Sequence, residues 1–180
     1  GYRTVSTNPC GEIPLCPYDS CRLLAINLYS YVVNPFKPDA YFDFDLFKKH
    51  VALAQRIMDD IIDLELEKIE RIMAKIDSDP ENEDVKHTES VLWQKIYKKS
   101  GQGRRTGVGI TAEGDMLAAL GLRYGTEEAT EFAEKVHQTV ALSAYRSSVE
   151  MAKERGAFEV YDSEREKNNP FINRLREADP

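Results

Sequence analysis

The residue types best suited to chemistry lie together in Asn8-Pro9-Cys10-Gly11-Glu12. Side chains alternate faces along an extended backbone, so Asn8, Cys10 and Glu12 are expected to share one side and offer an amide, a thiol and a carboxylate to one small ligand. Pro9 restricts the backbone and Gly11 permits a tight bend with little bulk, which together predict a stiff loop tip. An ordinary cysteine nucleophile needs a base such as His to form its thiolate. His50, His87 and His137 all fall in predicted helices and read as surface or packing residues. A thiol that gives and takes a hydrogen atom needs no ionisation, because its S–H bond is comparable in strength to an activated C–H bond. Hydrogen-atom transfer is therefore the chemistry that suits Cys10.

Two more cysteines follow, Cys16 and Cys21, the second eleven residues after Cys10. An odd number of cysteines is not a disulfide framework, and small buried thiols also serve as apolar fillers. The three offer no CxxC pair and have no histidine nearby to complete a ligand set, so no metal site is expected. Gly101-Gln102-Gly103-Arg104-Arg105 lacks the Gly-Lys-Ser/Thr ending of a phosphate loop and follows no convincing strand. It reads as a structural turn with solvent-facing arginines.

The elements that must position these residues are legible in the periodicity. Pro9, Pro14 and Pro17 keep residues 7–19 out of helices and central strands, leaving an irregular loop of the kind that carries function on rigid scaffolds. The apolar run 22–28 predicts a buried strand, and a buried helical turn fits nearly as well. From Asp45 to Ile76, Phe47, Val51, Ala54, Met58, Ile61, Ile62, Leu66, Ile69, Met73 and Ile76 recur at helical spacing and predict a long helix with a core-packed face. Asp77, Asp79, Glu81, Glu83 and Asp84 mark a solvated connection, followed by a second helix over 85–99. A short strand is predicted at 108–111 and a helix at 111–120 stopped by Gly121. Thr126 is the expected N-cap of a last long helix reaching Arg155 and stopping at Gly156. Its Ser143, Ala144, Ser147 and Ser148 are small enough for another element to approach closely.

Composition narrows the functional classes. With 180 residues and 42% hydrophobic content the chain can bury an ordinary core. A net charge of −7 argues against a nucleic-acid partner, no apolar run is long enough to span a membrane, and the N-terminus has no signal-peptide layout, so a cytoplasmic setting is expected. The chain starts without Met and is expected to be an internal piece of a longer polypeptide.

The Asn8-Pro9-Cys10-Gly11-Glu12 loop followed by Ser20-Cys21-Arg22-Leu23-Leu24-Ala25-Ile26-Asn27-Leu28 resembles the finger loop and succeeding strand of ribonucleotide reductases. Gly103-Arg104-Arg105-Thr106-Gly107-Val108-Gly109-Ile110, Asp115-Met116-Leu117-Ala118-Ala119-Leu120-Gly121 with Tyr124-Gly125 after it, and Arg155-Gly156-Ala157-Phe158 are similar to that family in the same order. The resemblance implies a mainly helical segment, with a few short strands, of the family's ten-stranded α/β barrel. Residues 1–180 would form one segment of it, 1–40 supplying the finger loop and strand and 41–180 the helical part.

By the same resemblance Cys10 is the thiyl-radical site that takes hydrogen from ribose C3′, and Glu12 removes the 3′-hydroxyl proton. Asn8 hydrogen-bonds the substrate, and Cys21 is one of two thiols that reduce the 2′ position and become a disulfide. Cys16 matches no family cysteine. The Pro-Cys-Gly-Glu form and the short gap between Cys10 and Cys21 resemble the class that uses adenosylcobalamin, with the diiron-dependent class as the rival. The implied partners are a ribonucleoside di- or triphosphate, a thioredoxin-type reductant and a second copy of the parent enzyme. A reading from a different class is a non-catalytic helical interaction module.

Overall fold

The computed structural model describes residues 3–9, 11, 13–20 and 22–178. They gather into two compact units that interleave in sequence. One takes the described residues of Gly1–Arg22, Ile57–Gly107 and Ala157–Tyr161, the other those of Leu23–Arg56, Val108–Gly156 and Asp162–Pro180.

The first unit opens with a small antiparallel hairpin, β1 (Ser6–Thr7) and β2 (Pro14–Leu15), in the register Ser6↔Leu15 and Thr7↔Pro14. The long helix α1 (Phe44–Ser78) contributes its C-terminal portion here, burying Met58, Ile62, Ile69 and Ile76 along one stripe. Ile61, expected on that stripe, is instead an exposed residue of the helix. Helix α2 (Glu83–Gly103) begins at Asn82, whose side chain accepts from the Val85 amide, and stops at Arg104 in the left-handed conformation (φ 43°). It therefore runs beyond the predicted end at residue 99 and absorbs the glycines expected to form a turn.

The second unit holds an aromatic core. Strand β3 (Leu23–Asn27) pairs with β6 (Gly107–Thr111), while β4 (Val32–Val33) and β5 (Tyr41–Phe42) form an antiparallel ribbon. A 3-10 turn over Leu28–Tyr31 links β3 to β4, its Tyr29 amide capped by the Asn27 side chain. Phe47 packs edge to face against Tyr31 and Phe42, with ring centroids 4.9 Å and 5.2 Å away. Val51 and Ala54 of α1, Met116 and Leu117 of α3 (Glu113–Ala119), and Ala129 and Val136 of α4 (Glu127–Arg155) close the cluster.

Helix ends follow local chemistry. Gly121 at φ +77° donates to Ala118 while Leu122 donates to Leu117, the paired bonds by which a left-handed residue satisfies the last carbonyls of α3. Thr126 Oγ1 accepts from Ala129, and Gly156 (φ +86°) ends α4, both as expected. The close approach expected at the small residues of α4 occurs at Ser147, whose Oγ donates to the Ala52 carbonyl of α1 at 2.8 Å. Two short helices, α5 (Ser163–Glu166) and α6 (Pro170–Ala178), complete the unit. Among the described residues no helix is long and apolar enough to cross a membrane.

Candidate active site

The loop between β1 and β2 is closed by Asn8. Its amide donates to the Ile13 carbonyl at 3.1 Å and its Oδ1 accepts from the Ile13 amide at 3.0 Å. Gly11, at φ +82°, donates to the Asn8 carbonyl at 3.0 Å, so the chain from Asn8 to Gly11 makes a hydrogen-bonded reverse turn. Asn, Pro and Gly stand at the first, second and fourth places, where such turns favour them. The turn agrees with the tight bend expected at Gly11, while the shared face expected of Asn8, Cys10 and Glu12 falls partly on residues outside the described ones. Asn8 also has a job of its own: its oxygen holds the loop shut, which leaves its Nδ2 hydrogens as the group to offer a ligand. Cys10, Glu12 and Cys21 lie outside the described residues.

Downstream of the hairpin the chain enters a polar anchor. Cys16 is 3% exposed, and its Sγ–H donates to Asp19 Oδ2 at 3.1 Å. The Asp19 side chain is 2% exposed; it also accepts from the Ser20 amide at 3.1 Å and from Arg105 Nε. Burial, reinforced by the Asp19 hydrogen bond and charge, pushes the Cys16 thiol above its ordinary pKa. Cys16 is thus held as a neutral thiol, poorly suited to nucleophilic attack. Burial opposes the Arg105 charge, but Asp19 outweighs it and the guanidinium is held more firmly protonated than usual.

A second arginine interlocks with the first. Arg22, 8% exposed at its side chain, donates through Nη2 to Glu65 and to the buried Ser100 Oγ at 3.0 Å, and through Nη1 to the Arg105 carbonyl at 3.4 Å. Ser20 Oγ donates to the other Glu65 oxygen at 3.3 Å, and the Gly107 amide donates to the Arg22 carbonyl at 2.8 Å. Lys95 lies over the Tyr18 ring at 4.9 Å from its centroid. The segment 16–22 is therefore held by α1, by α2 and by the turn leading into β6.

The arginines expected to face solvent are consumed by carboxylates. Arg104 donates to Asp59 Oδ1 and Asp63 Oδ1, both at 2.7 Å, and to the Asp59 carbonyl at 3.0 Å; these acids raise its pKa further. Asp59, Asp60 and Asp63 have oxygens within 4.8 Å of one another, but Arg104 already neutralises two of the three. Asp19, Glu65 and Ser100 carry no motif of their own, and Arg105, though inside the Gly103–Ile110 stretch, is not marked there as the partner of a buried acid. The one sequence signal for this network is Arg22, a charged residue beginning an apolar run, which must find partners if the run is buried. In the second unit His50 bonds Tyr31 at 3.0 Å and His137 lies 3.5 Å from Glu113, consistent with packing and surface roles. A cleft of about 240 Å³ there is lined by Lys48, Gln138, Thr139, Leu142, Ser143 and Arg146.

Comparison with known proteins adds a family. The model of the ribonucleotide reductase barrel domain matches residues 3–177. A vitamin B12-dependent ribonucleoside-diphosphate reductase of Thermoplasma acidophilum is 36% identical over 163 residues, covering 90% of this chain and 18% of that protein. One of the same description from Mycobacterium tuberculosis is 31% identical over 163 residues, covering 91% of this chain and 19% of its own. A ribonucleoside-diphosphate reductase subunit alpha of Chlamydia pneumoniae is 28% identical over 159 residues, covering 86% of this chain and 12% of its own. The chain thus spans under a fifth of the length of these relatives.

Proposed function

From the premise that this chain belongs to the ribonucleotide reductase barrel-domain family, we propose that it supplies the radical loop of an enzyme that reduces ribonucleotides to 2′-deoxyribonucleotides. The observation that carries the reading is the hairpin itself. Asn8 and Gly11 of the motif are joined by a hydrogen bond and Asn8 is bonded twice to Ile13, which supports a stiff bend to set against a substrate.

In this reading a sulfur radical at Cys10 takes the hydrogen atom from ribose C3′, and Glu12 accepts the 3′-hydroxyl proton while the 2′-hydroxyl leaves as water. Cys21 and a second thiol, from a part of the barrel beyond this chain, supply two electrons and two protons and become a disulfide. Glu12 gives the proton back to the 3′-oxygen, and Cys10 returns the hydrogen atom to C3′. The substrate is a ribonucleoside diphosphate by analogy with the names of the relatives, the barrel is the ten-stranded one, and the parent works in the cytoplasm as a homodimer recharged by a thioredoxin-type reductant.

Adenosylcobalamin is the radical source implied by the two relatives named vitamin B12-dependent. Within this chain no side chain is assigned to holding it. The subunit alpha relative favours a second reading, the diiron-dependent class.

The test is Cys10→Ser in the full-length parent, which should abolish turnover while nucleotide binding stays nearly intact; normal turnover would remove Cys10 from the mechanism. Restoring activity of the full-length protein with adenosylcobalamin, or instead with a metal-bearing partner subunit, separates the two classes.

A further inference from the structure

The hairpin that carries the candidate radical loop cannot hold its own position. It has two register pairs, and Val5, Ser6, Thr7 and Pro14 are all exposed. A two-stranded hairpin this short is marginal in water, and this one buries little apolar surface against anything. Within this chain its hold comes from the segment C-terminal to it. Leu15 leads directly into Cys16, Asp19 and Arg22, where side chains bury their polar groups against partners distant in sequence.

We infer that Asp19 and Arg105 are positioning residues that set where the loop between Asn8 and Ile13 sits. The geometry is that of a latch. Asp19 is tied to its own segment through the Cys16 thiol and the Ser20 amide, and to the turn after α2 through Arg105. Arg105 cannot shift freely, because its carbonyl is held by Arg22, which is itself fixed to Glu65 and Ser100. Hydrogen bonds between ionised groups are directional as well as strong, so this pair fixes an orientation that an apolar contact would leave loose. Cys16 takes part as a donor rather than as a redox thiol. Asp19 and Arg105 touch no reacting atom; they act through the hairpin, and their effect on turnover rests on the function proposed above.

The experiment uses the full-length parent and compares wild type with Asp19→Asn, Arg105→Gln and the double variant. Amide hydrogen exchange at Val5, Asn8, Gly11 and Ile13 reads the latch without reference to catalysis. Exchange at these amides should accelerate about tenfold or more in each single variant, with no larger change in the double, because local opening follows the stability of the anchoring unit. Turnover should fall about 10²-fold with substrate KM changed much less, as expected for a reacting group displaced by about 1 Å. Unchanged protection of the hairpin amides in folded single variants overturns the latch, and so do effects that simply add in the double variant. Lost protection with undiminished turnover supports the latch and instead removes the loop from catalysis. If Asp19→Asn does not fold, Arg105→Lys against Arg105→Gln decides: partial recovery of protection by Lys supports the latch, and wild-type protection in both overturns it.

Discussion

The polar anchor around Asp19 and the aromatic core around Phe47 each hold a turn in place, and they do so by opposite means. In the core, Phe47 meets Tyr31 and Phe42 edge to face, and the three are backed by Val51, Met116 and Val136. That arrangement removes apolar surface from water, tolerates small adjustments and leaves few polar obligations. In the anchor, Cys16, Asp19, Arg22 and Arg105 are joined by hydrogen bonds that each need a particular donor and acceptor. Two charges taken out of water contribute modest net stability against an apolar replacement, yet they penalise any geometry but one. The core is built for stability and the anchor for placement, and the anchor adjoins the loop expected to do the chemistry.

The contrast is broken most severely by Phe47→Ala. A fully buried aromatic truncated to Ala should cost about 3–5 kcal/mol, seen as lower opening free energies for the amides of α1 between 44 and 56, while the hairpin amides keep their protection. Equal loss at the hairpin would show that the two regions are not separable. Next in size is Arg22. Arg22→Ala takes the guanidinium away from one Glu65 oxygen and from Ser100 Oγ and should cost about 1–3 kcal/mol at the amides of 16, 18–20, 22 and 107. Arg22→Met, which fills the space without the charge, should recover much of that stability but not turnover. A Met variant as unstable as the Ala variant would mean that the anchor is a stability device after all.

Cys16 sharpens the comparison through pH. Its thiol is raised by burial and by Asp19, so the folded state binds the proton more tightly than the unfolded one. The stabilisation from the neutral thiol is complete below the ordinary pKa of 9.0 and is lost as pH climbs through the folded value. Opening of the anchor should become easier with rising pH above about 9, and Cys16→Ser should flatten that dependence; an identical pH profile in both proteins would contradict it. The smallest effect expected is Thr126→Ala, a lost cap worth about 1 kcal/mol, confined to the first turn of α4 and visible as faster exchange there alone.

Much of the scaffold is legible in the sequence because its signals are local. The 3.6-residue stripe of α1, the Thr126 cap, the Gly121 and Gly156 stops and the strand at 107–111 depend on side chains within a few positions of one another. The misreadings have a common origin. Gly101-Gln102-Gly103 has the composition of a turn, yet it continues α2 to a left-handed stop at Arg104, whose guanidinium is bound by Asp59 and Asp63. Arg104 and Arg105 read as solvent-facing because their acids, Asp59, Asp63 and Asp19, lie far off in the chain.

Residue order alone determined the long helices α1 and α4 and the stops at Gly121 and Gly156, and it placed an amide, a thiol and a carboxylate within five consecutive positions. It also sufficed for the family, because that resemblance resides in motif order. Tertiary structure decided that Asn8 shuts its own loop, that Cys16 is a buried donor and that two arginines lock the base of the hairpin. Those outcomes depend on which distant carboxylate or carbonyl a buried polar group reaches, and a buried charge is satisfied by whatever partner the fold brings within about 3 Å, whatever its distance along the chain.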